Sequence, residues 1–140
     1  MHGSIQKAID YFVKVLTEKD IEVKPFNITE TDIGELAMAL VDCATVVIGT
    51  PTVFANPHPS IIYASYLFKI LRPKTKFVSL ICSFLWGTNV IKYYEEILKG
   101  VNVELIEPVV FEGHPQKDTF EKIENLAEKI YQKHKEIKII

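Results

Sequence analysis

Hydrophobic spacing along the chain switches repeatedly between the helical and the strand period. Ile5, Ala8, Ile9, Phe12, Val13 and Leu16 recur at three- and four-residue intervals, which predicts a helix with one buried stripe. Ile21 to Phe26 alternates apolar with polar residues and predicts a strand. Ile33, Leu36, Ala37 and Leu40 restore helical spacing between Asp32 and Val41. Ala44 to Ile48 is a continuous apolar run, the pattern of a strand covered on both faces. A largely apolar helix is expected over Ile61 to Leu71, a second central strand over Phe77 to Cys82, and a helix over Val90 to Leu98.

Val101 to Phe111 predicts a further strand, interrupted at Glu107-Pro108, where proline withdraws a ladder donor and calls for an edge or a bulge. The last helix is expected to start with Asp118 and Glu121 in capping-box spacing. It buries Phe120, Ile123, Ala127, Ile130 and His134, and carries Lys122, Glu124, Lys129 and Lys133 on a solvated face. Helices alternate with strands and make helix-length crossovers, so the fold class is α/β, a three-layer α/β/α arrangement around a parallel sheet.

The 140 residues fit a single domain spanning 1–140. Apolar residues make up 48% and charged residues 24%, a globular composition. A formal charge of -2 offers no general attraction for nucleic acid or an anionic membrane. No apolar run reaches the roughly 18 residues of a spanning helix, and the N-terminus lacks a signal-peptide layout, so a cytoplasmic protein is expected. Cys43 and Cys82 lie apart beside apolar strands, which predicts buried, reduced thiols. The histidines, His2, His58, His114 and His134, show no metal-binding spacing.

Candidate chemistry concentrates in three loops. Gly49 to Ser60 leaves a buried strand, holds Pro51, Pro57 and Pro59 and no charge, and leads into an apolar helix. In open parallel sheets, ligands sit beyond the carboxyl ends of the strands, where such connections diverge. Met1-His2-Gly3-Ser4 opens the first helix with free backbone N–H groups and a hydroxyl, as a phosphate-binding turn does. The third loop, Ser83 to Gly87, follows the second central strand and holds Phe84, Leu85 and Trp86.

These loops resemble those of the flavodoxin-like domain of the A-type flavoproteins, or flavo-diiron proteins. Met1-His2-Gly3-Ser4 is similar to the middle of the family's S-M-x-G-S-T phosphate loop. Gly49, Pro51, Thr52, His58, Pro59 and Ser60 reproduce its G-S-P-T-Y-N-N-G-x-H-P-S. Ser83, Phe84, Trp86 and Gly87 fall in register with its G-S-Y-G-W-G-G. The resemblance implies a flavodoxin-like sheet of order 2-1-3-4-5 and FMN as cofactor. It places His2, Gly3, Ser4 and Ile5 at the phosphate. Pro51, Thr52, Val53, Phe54, Ala55 and Asn56 form one wall of the ring site, and Ser83, Phe84, Leu85, Trp86 and Gly87 the other. Ile5 stands where the family has threonine, Val53 where it has tyrosine, and Leu85 where it has glycine.

The resemblance implies electron transfer through FMN to a separate redox partner, such as a diiron protein of metallo-β-lactamase type; a homodimer is expected if the sheet takes a strand from a neighbouring chain. It makes the chain a carrier, or a component of a flavo-diiron oxidoreductase, with no catalytic residues of its own. The replacements at Ile5 and Leu85 support an alternative, a flavin-free assembly or regulatory module with a degenerate site. A phospho-receiver would need an aspartate where Gly49-Thr50-Pro51 stands.

One element of that fold is missing from the pattern: the first helix has no strand before it. Glu136-Ile-Lys-Ile-Ile140 has strand composition and is expected to fill this central slot, in its own chain or a neighbour's. The alternative expectation is a sequence whose first strand lies upstream.

Overall fold

The computed structural model describes residues 2–27, 32–53, 56–57, 75–84, 92, 95–96 and 103–137. Helix α1 (His2–Glu18) is followed by α2 (Ile33–Asp42), β1 (Thr45–Val53), β2 (Asn56–Pro57) and β3 (Phe77–Phe84). Then come β4 (Glu104–Leu105), β5 (Val109–Glu112) and the closing helix α3 (Lys117–Glu136). The helix expected over 61–71 lies outside the described residues. Of the one expected over 90–98, Lys92, Glu95 and Glu96 are described, and all three are helical.

β1 and β3 run parallel in a seven-residue register from Thr45 opposite Phe77 to Pro51 opposite Ser83. β4 and β5 both pair with β3 in parallel. Phe77 faces Glu104, an offset of 27, whereas Ile81 faces Val109, an offset of 28. One extra residue therefore enters the outer strand around Glu107-Pro108, which is the bulge that the proline foretells. Ser79, fully buried, stabilises it by donating its hydroxyl to the Ile106 carbonyl at 3.0 Å.

Alternation along β3 builds the layers. Phe77 and Ile81 face a core shared with Ala8, Phe12 and Leu16 of α1 and with Ile123, Leu126, Ala127 and Ile130 of α3. Val78 faces the other way, against Leu36 and Leu40 of α2. Helices thus cover both faces, and the buried stripes expected in α1 and α2 are the ones that do it.

The last helix departs from expectation at its start. Gln116 is its N-cap, and the Gln116 N–H donates to the Thr119 hydroxyl at 3.1 Å, so the cap lies two residues before Asp118. The turn ahead of it uses Gly113 at φ 67, a left-handed conformation that glycine takes without strain. The charged face is solvated as expected, with Lys122, Glu124 and Lys129 exposed, and it also makes surface contacts to neighbouring elements. Lys129 reaches Glu107 at 2.6 Å and Lys133 reaches Glu104 at 2.9 Å, tying α3 to the sheet's outer strand, while Glu124 accepts the Tyr11 hydroxyl of α1.

Ile21–Phe26, expected as a strand, joins no ladder among the described residues. Asp20 at φ 61 ends α1, with Ile21 N–H bonded to the Leu16 carbonyl at 3.1 Å and Asp20 N–H to that of Thr17 at 3.0 Å. Beyond it, burial alternates as a strand's would, with Ile21 and Val23 half-buried and Glu22 and Lys24 exposed. Its side chains are therefore patterned for a sheet, but among the described residues no strand lies beside it. The segment expected as a strand from Glu136 is also shorter than foreseen, because Glu136 still belongs to α3 and Ile137 caps that helix. Residues 138–140 lie outside the described residues.

Candidate functional site

β1 is longer than the apolar run that marks it, and this brings the central loop into the sheet. Gly49 to Val53, expected as loop, continue the strand, and β2 returns antiparallel with Thr52 opposite Pro57 and Val53 opposite Asn56. This register makes a hairpin whose two connecting residues, Phe54 and Ala55, lie outside the described residues. The hairpin arm stands just past the last β1–β3 rungs, at the carboxyl end of the sheet.

The first turn of α1 arrives at the same end. A Cβ built on Gly49 would lie 2.6 Å from Ile9 Cδ1 and 3.5 Å from Ile5 Cγ2, so α1 rests directly on the glycine. Ile5 therefore turns its side chain to the sheet, and at this position only the backbone is left for an anion. His2, Gly3, Ser4 and Ile5 form the helix's opening turn, whose N–H groups have no intrahelical acceptor and carry the positive end of the helix dipole.

Ser83 completes the arrangement at the end of β3. It lies opposite Pro51, is 1% exposed, and its Oγ is buried with no hydrogen-bond partner among the described residues. A buried hydroxyl left without a partner costs on the order of 1–3 kcal/mol, so its retention points to a polar group that is to be met there. By the alternation of β3 it shares the face of Ile81, the face that α1 covers. Phe84 follows at the strand end, opposite Glu112 of β5. Leu85, Trp86 and Gly87 lie outside the described residues.

The structure thus brings residues 2–5, 51–53, 56 and 83–84 to one end of the sheet. No metal-ligating cluster occurs among the described residues. A groove of about 340 Å³ lies elsewhere, between α1 and α3, and is lined by charged and polar groups that include Lys14, Lys19 and Glu128. It is crossed by the Lys19–Glu128 ion pair and the Tyr11–Glu124 hydrogen bond, and none of its lining residues belongs to the strand ends.

The opposite pole of the sheet holds its own polar cluster, which sequence spacing did not reveal. His134 on α3 is 7% exposed, with Nε2 at 2.6 Å from the Thr45 hydroxyl and its ring stacked on Phe77 at 6.2 Å. Burial pushes its imidazole below the ordinary value near 6.5. Thr75 donates to the Cys43 carbonyl at 3.0 Å, and Cys43 Sγ lies 3.2 Å from its hydroxyl. Cys82 is buried as expected, whereas Cys43 is only half-buried. His134, Thr45, Thr75 and Cys43 lie at the amino-terminal strand ends and serve packing.

A parallel sheet covered on both faces, with three strand-end segments converging, can be compared directly with solved folds. The rubredoxin:oxygen oxidoreductase of Desulfovibrio gigas superposes with a TM-score of 0.89 at 22% identity, over 96% of this chain and 34% of that one. A flavodoxin from the domain Archaea superposes with a TM-score of 0.78 at 14% identity, over 96% and 93% of the two chains. The chain has a flavodoxin-like fold. A flavodiiron core from Synechocystis sp. PCC6803 matches this flavodoxin-like chain with a TM-score of 0.88 at 17% identity, over 99% of it and 34% of the other.

No protein-family model matches the sequence. Among curated proteins, the coenzyme F420H2 oxidase of Methanocaldococcus jannaschii is 27% identical over 144 residues, covering 99% of this chain and 34% of that protein. The nitric oxide reductase of Moorella thermoacetica is 28% identical over 103 residues, covering 74% and 26%. The flavodoxin-like chain therefore spans about a third or less of these two relatives. It resembles the flavodoxin-like domain of flavodiiron proteins, as its loop motifs imply. No helix among the described residues is long and apolar enough to cross a membrane.

Proposed function

We propose that this chain binds FMN at the carboxyl end of its sheet and passes electrons to a separate redox partner. The observation that carries the reading is the convergence of the first α1 turn, the β1–β2 arm and the orphaned Ser83 hydroxyl at one strand-end site. FMN supplies one- and two-electron chemistry that no side chain here provides.

The chain's own work is binding and orientation. Backbone N–H groups of His2, Gly3, Ser4 and Ile5 neutralise a phosphate without a cation, with the Ser4 hydroxyl as a further donor. Pro51 to Asn56 would bound the flat ring on one side and Ser83 to Gly87 on the other, as the loop resemblance implies, with Phe54, Phe84 and Trp86 the aromatic residues of those segments. Ser83 Oγ, already desolvated, gains a partner from a polar edge of the ring system at no further burial cost. In this reading the electron acceptor is a separate oxidoreductase. A diiron protein of metallo-β-lactamase type is the acceptor that the resemblance to flavodiiron proteins suggests.

Ile5 favours a second reading. Its side chain is committed to Gly49 and supplies no hydroxyl to a phosphate. Each such bond to a charged group contributes about 1.5–3 kcal/mol, so its absence weakens affinity by roughly tenfold to over a hundredfold. A flavin-free assembly module with the same fold is the outcome if that loss is decisive.

Titration of FMN with purified protein separates the two. Binding quenches flavin fluorescence at micromolar protein and leaves a yellow complex after desalting. Unquenched FMN at tens of micromolar protein overturns the carrier and leaves the flavin-free module.

A further inference from the structure

The segments that form the strand-end site carry no formal charge. Residues 1–6, 44–68 and 77–91 contain no lysine, arginine, aspartate or glutamate. The charged residue that the strand register brings to the last rungs is Glu112, opposite Phe84, and it is an exposed carboxylate. A phosphate monoester carries about −1.5 to −2 charges at neutral pH. The positive potential these segments offer it is that of the opening turn of α1, roughly half an elementary charge.

The side chain of Ile5 adds nothing polar to that turn. Its Cγ2 lies 3.5 Å from where a Cβ on Gly49 would sit, and Ile5 packs on the core shared by α1, α3 and β3. Gly49 pairs with Ile81 and Pro51 with Ser83, so Ser83 stands on the same sheet face, one alternation nearer the strand ends, between Pro51 and Phe111. The Ser83 hydroxyl is a neutral donor and acceptor, 1% exposed, with no partner among the described residues. A group buried to that degree, with no cation in its own segment, is met at least cost by an uncharged polar group such as a ring carbonyl or imide N–H, and not by an anion.

We propose that the site selects the isoalloxazine ring and depends little on the phosphate, so that unphosphorylated riboflavin is a ligand of this chain as well as FMN. The inference rests on the flavin-binding reading above and adds the ligand class to it. A helix terminus acting without a cationic side chain stabilises an anion by a factor of roughly two to thirty, and dehydration of the dianion offsets part of that. The dissociation constants of FMN and riboflavin are therefore expected to lie within about thirtyfold of each other. Ile5 sets this ratio. Threonine at that position retains the methyl that meets Gly49 and places a hydroxyl where the ethyl branch lies.

Paired fluorescence titrations of the full chain with riboflavin and with FMN test this, at about pH 8 so that His2 and His58 are uncharged. Both flavins are expected to be quenched within that ratio, and a large excess of inorganic phosphate to leave bound FMN in place. Ile5→Thr is expected to tighten FMN about tenfold and to leave riboflavin unchanged. FMN bound more than about thirtyfold tighter than riboflavin, or displaced by inorganic phosphate, overturns the inference and leaves the carrier reading standing. An equal response of the two flavins to Ile5→Thr overturns the role given to Ile5. Quenching of neither flavin removes the carrier reading itself, and this inference with it.

Discussion

Ile9 Cδ1 lies 2.6 Å from where a Cβ on Gly49 would sit, with Ile9 Cγ1 at 2.9 Å. The glycine is therefore a contact surface: it lets α1 sit low on β1 and carries the helix's first turn to the strand ends. Gly49→Ala is expected to destabilise the fold by about 1–3 kcal/mol through overpacking. Ile9→Val removes the nearer methyl, so the double variant recovers part of that loss. Urea denaturation of the four proteins of this cycle checks it. Additive losses would place the strain elsewhere.

Ser83 gives a prediction that separates stability from binding. Its hydroxyl is buried and has no partner among the described residues, so Ser83→Ala removes a desolvated group and leaves stability without flavin unchanged or raised by about 1 kcal/mol. With FMN present, the same variant loses affinity by about tenfold. Thermal melts with and without FMN read both effects. A variant destabilised without flavin and unaltered in binding would mean that the hydroxyl serves the fold alone.

Ser79 is the opposite case, because its hydroxyl has a partner. Ser79→Ala deprives the Ile106 carbonyl of a donor at the bulge and is expected to cost about 1 kcal/mol or more. Hydrogen exchange should report the loss locally, in the amides of Leu105 to Val109. Uniform loosening of the whole sheet would argue against a local anchor.

His134 sets a pH dependence with a definite sign. Its folded-state value is depressed by burial, so between that value and about 6.5 the unfolded chain binds more protons than the folded one. The stability it contributes is present above pH 6.5 and is lost as pH falls through the folded value. Glu107 and Glu128, lowered chiefly by hydrogen bonds from Lys129 and Lys19, act in the same direction only below about pH 4.5. Melting temperature should therefore fall between pH 7.5 and pH 5, and His134→Gln should flatten that fall. An equal slope in the variant would assign the dependence to another group.

Local pattern made much of this architecture legible. The stripes of α1, α2 and α3 and the runs of β1 and β3 are periodicities of the chain itself, and burial follows them because each element has one dominant way to hide its apolar groups. Pro108 likewise announced the bulge, since the missing N–H is a local property. The loop residues 49–53 were harder. They read as loop from Gly49 and Pro51, yet they extend β1, because the partner strand β3 and the return of β2 supply ladder contacts that no local composition encodes.

Sequence by itself determined the alternation of elements, the faces they bury, and the three motif-bearing segments, all consequences of covalent order and side-chain type. Tertiary structure alone decided that the Ile5 side chain packs on Gly49 and that Ser83 Oγ is buried with no partner among the described residues. It also decided that Ile21–Phe26 has a strand's burial pattern and no ladder. Each of these depends on what stands across a space a few ångströms wide, and residues far apart in the chain meet there only once the layers have packed.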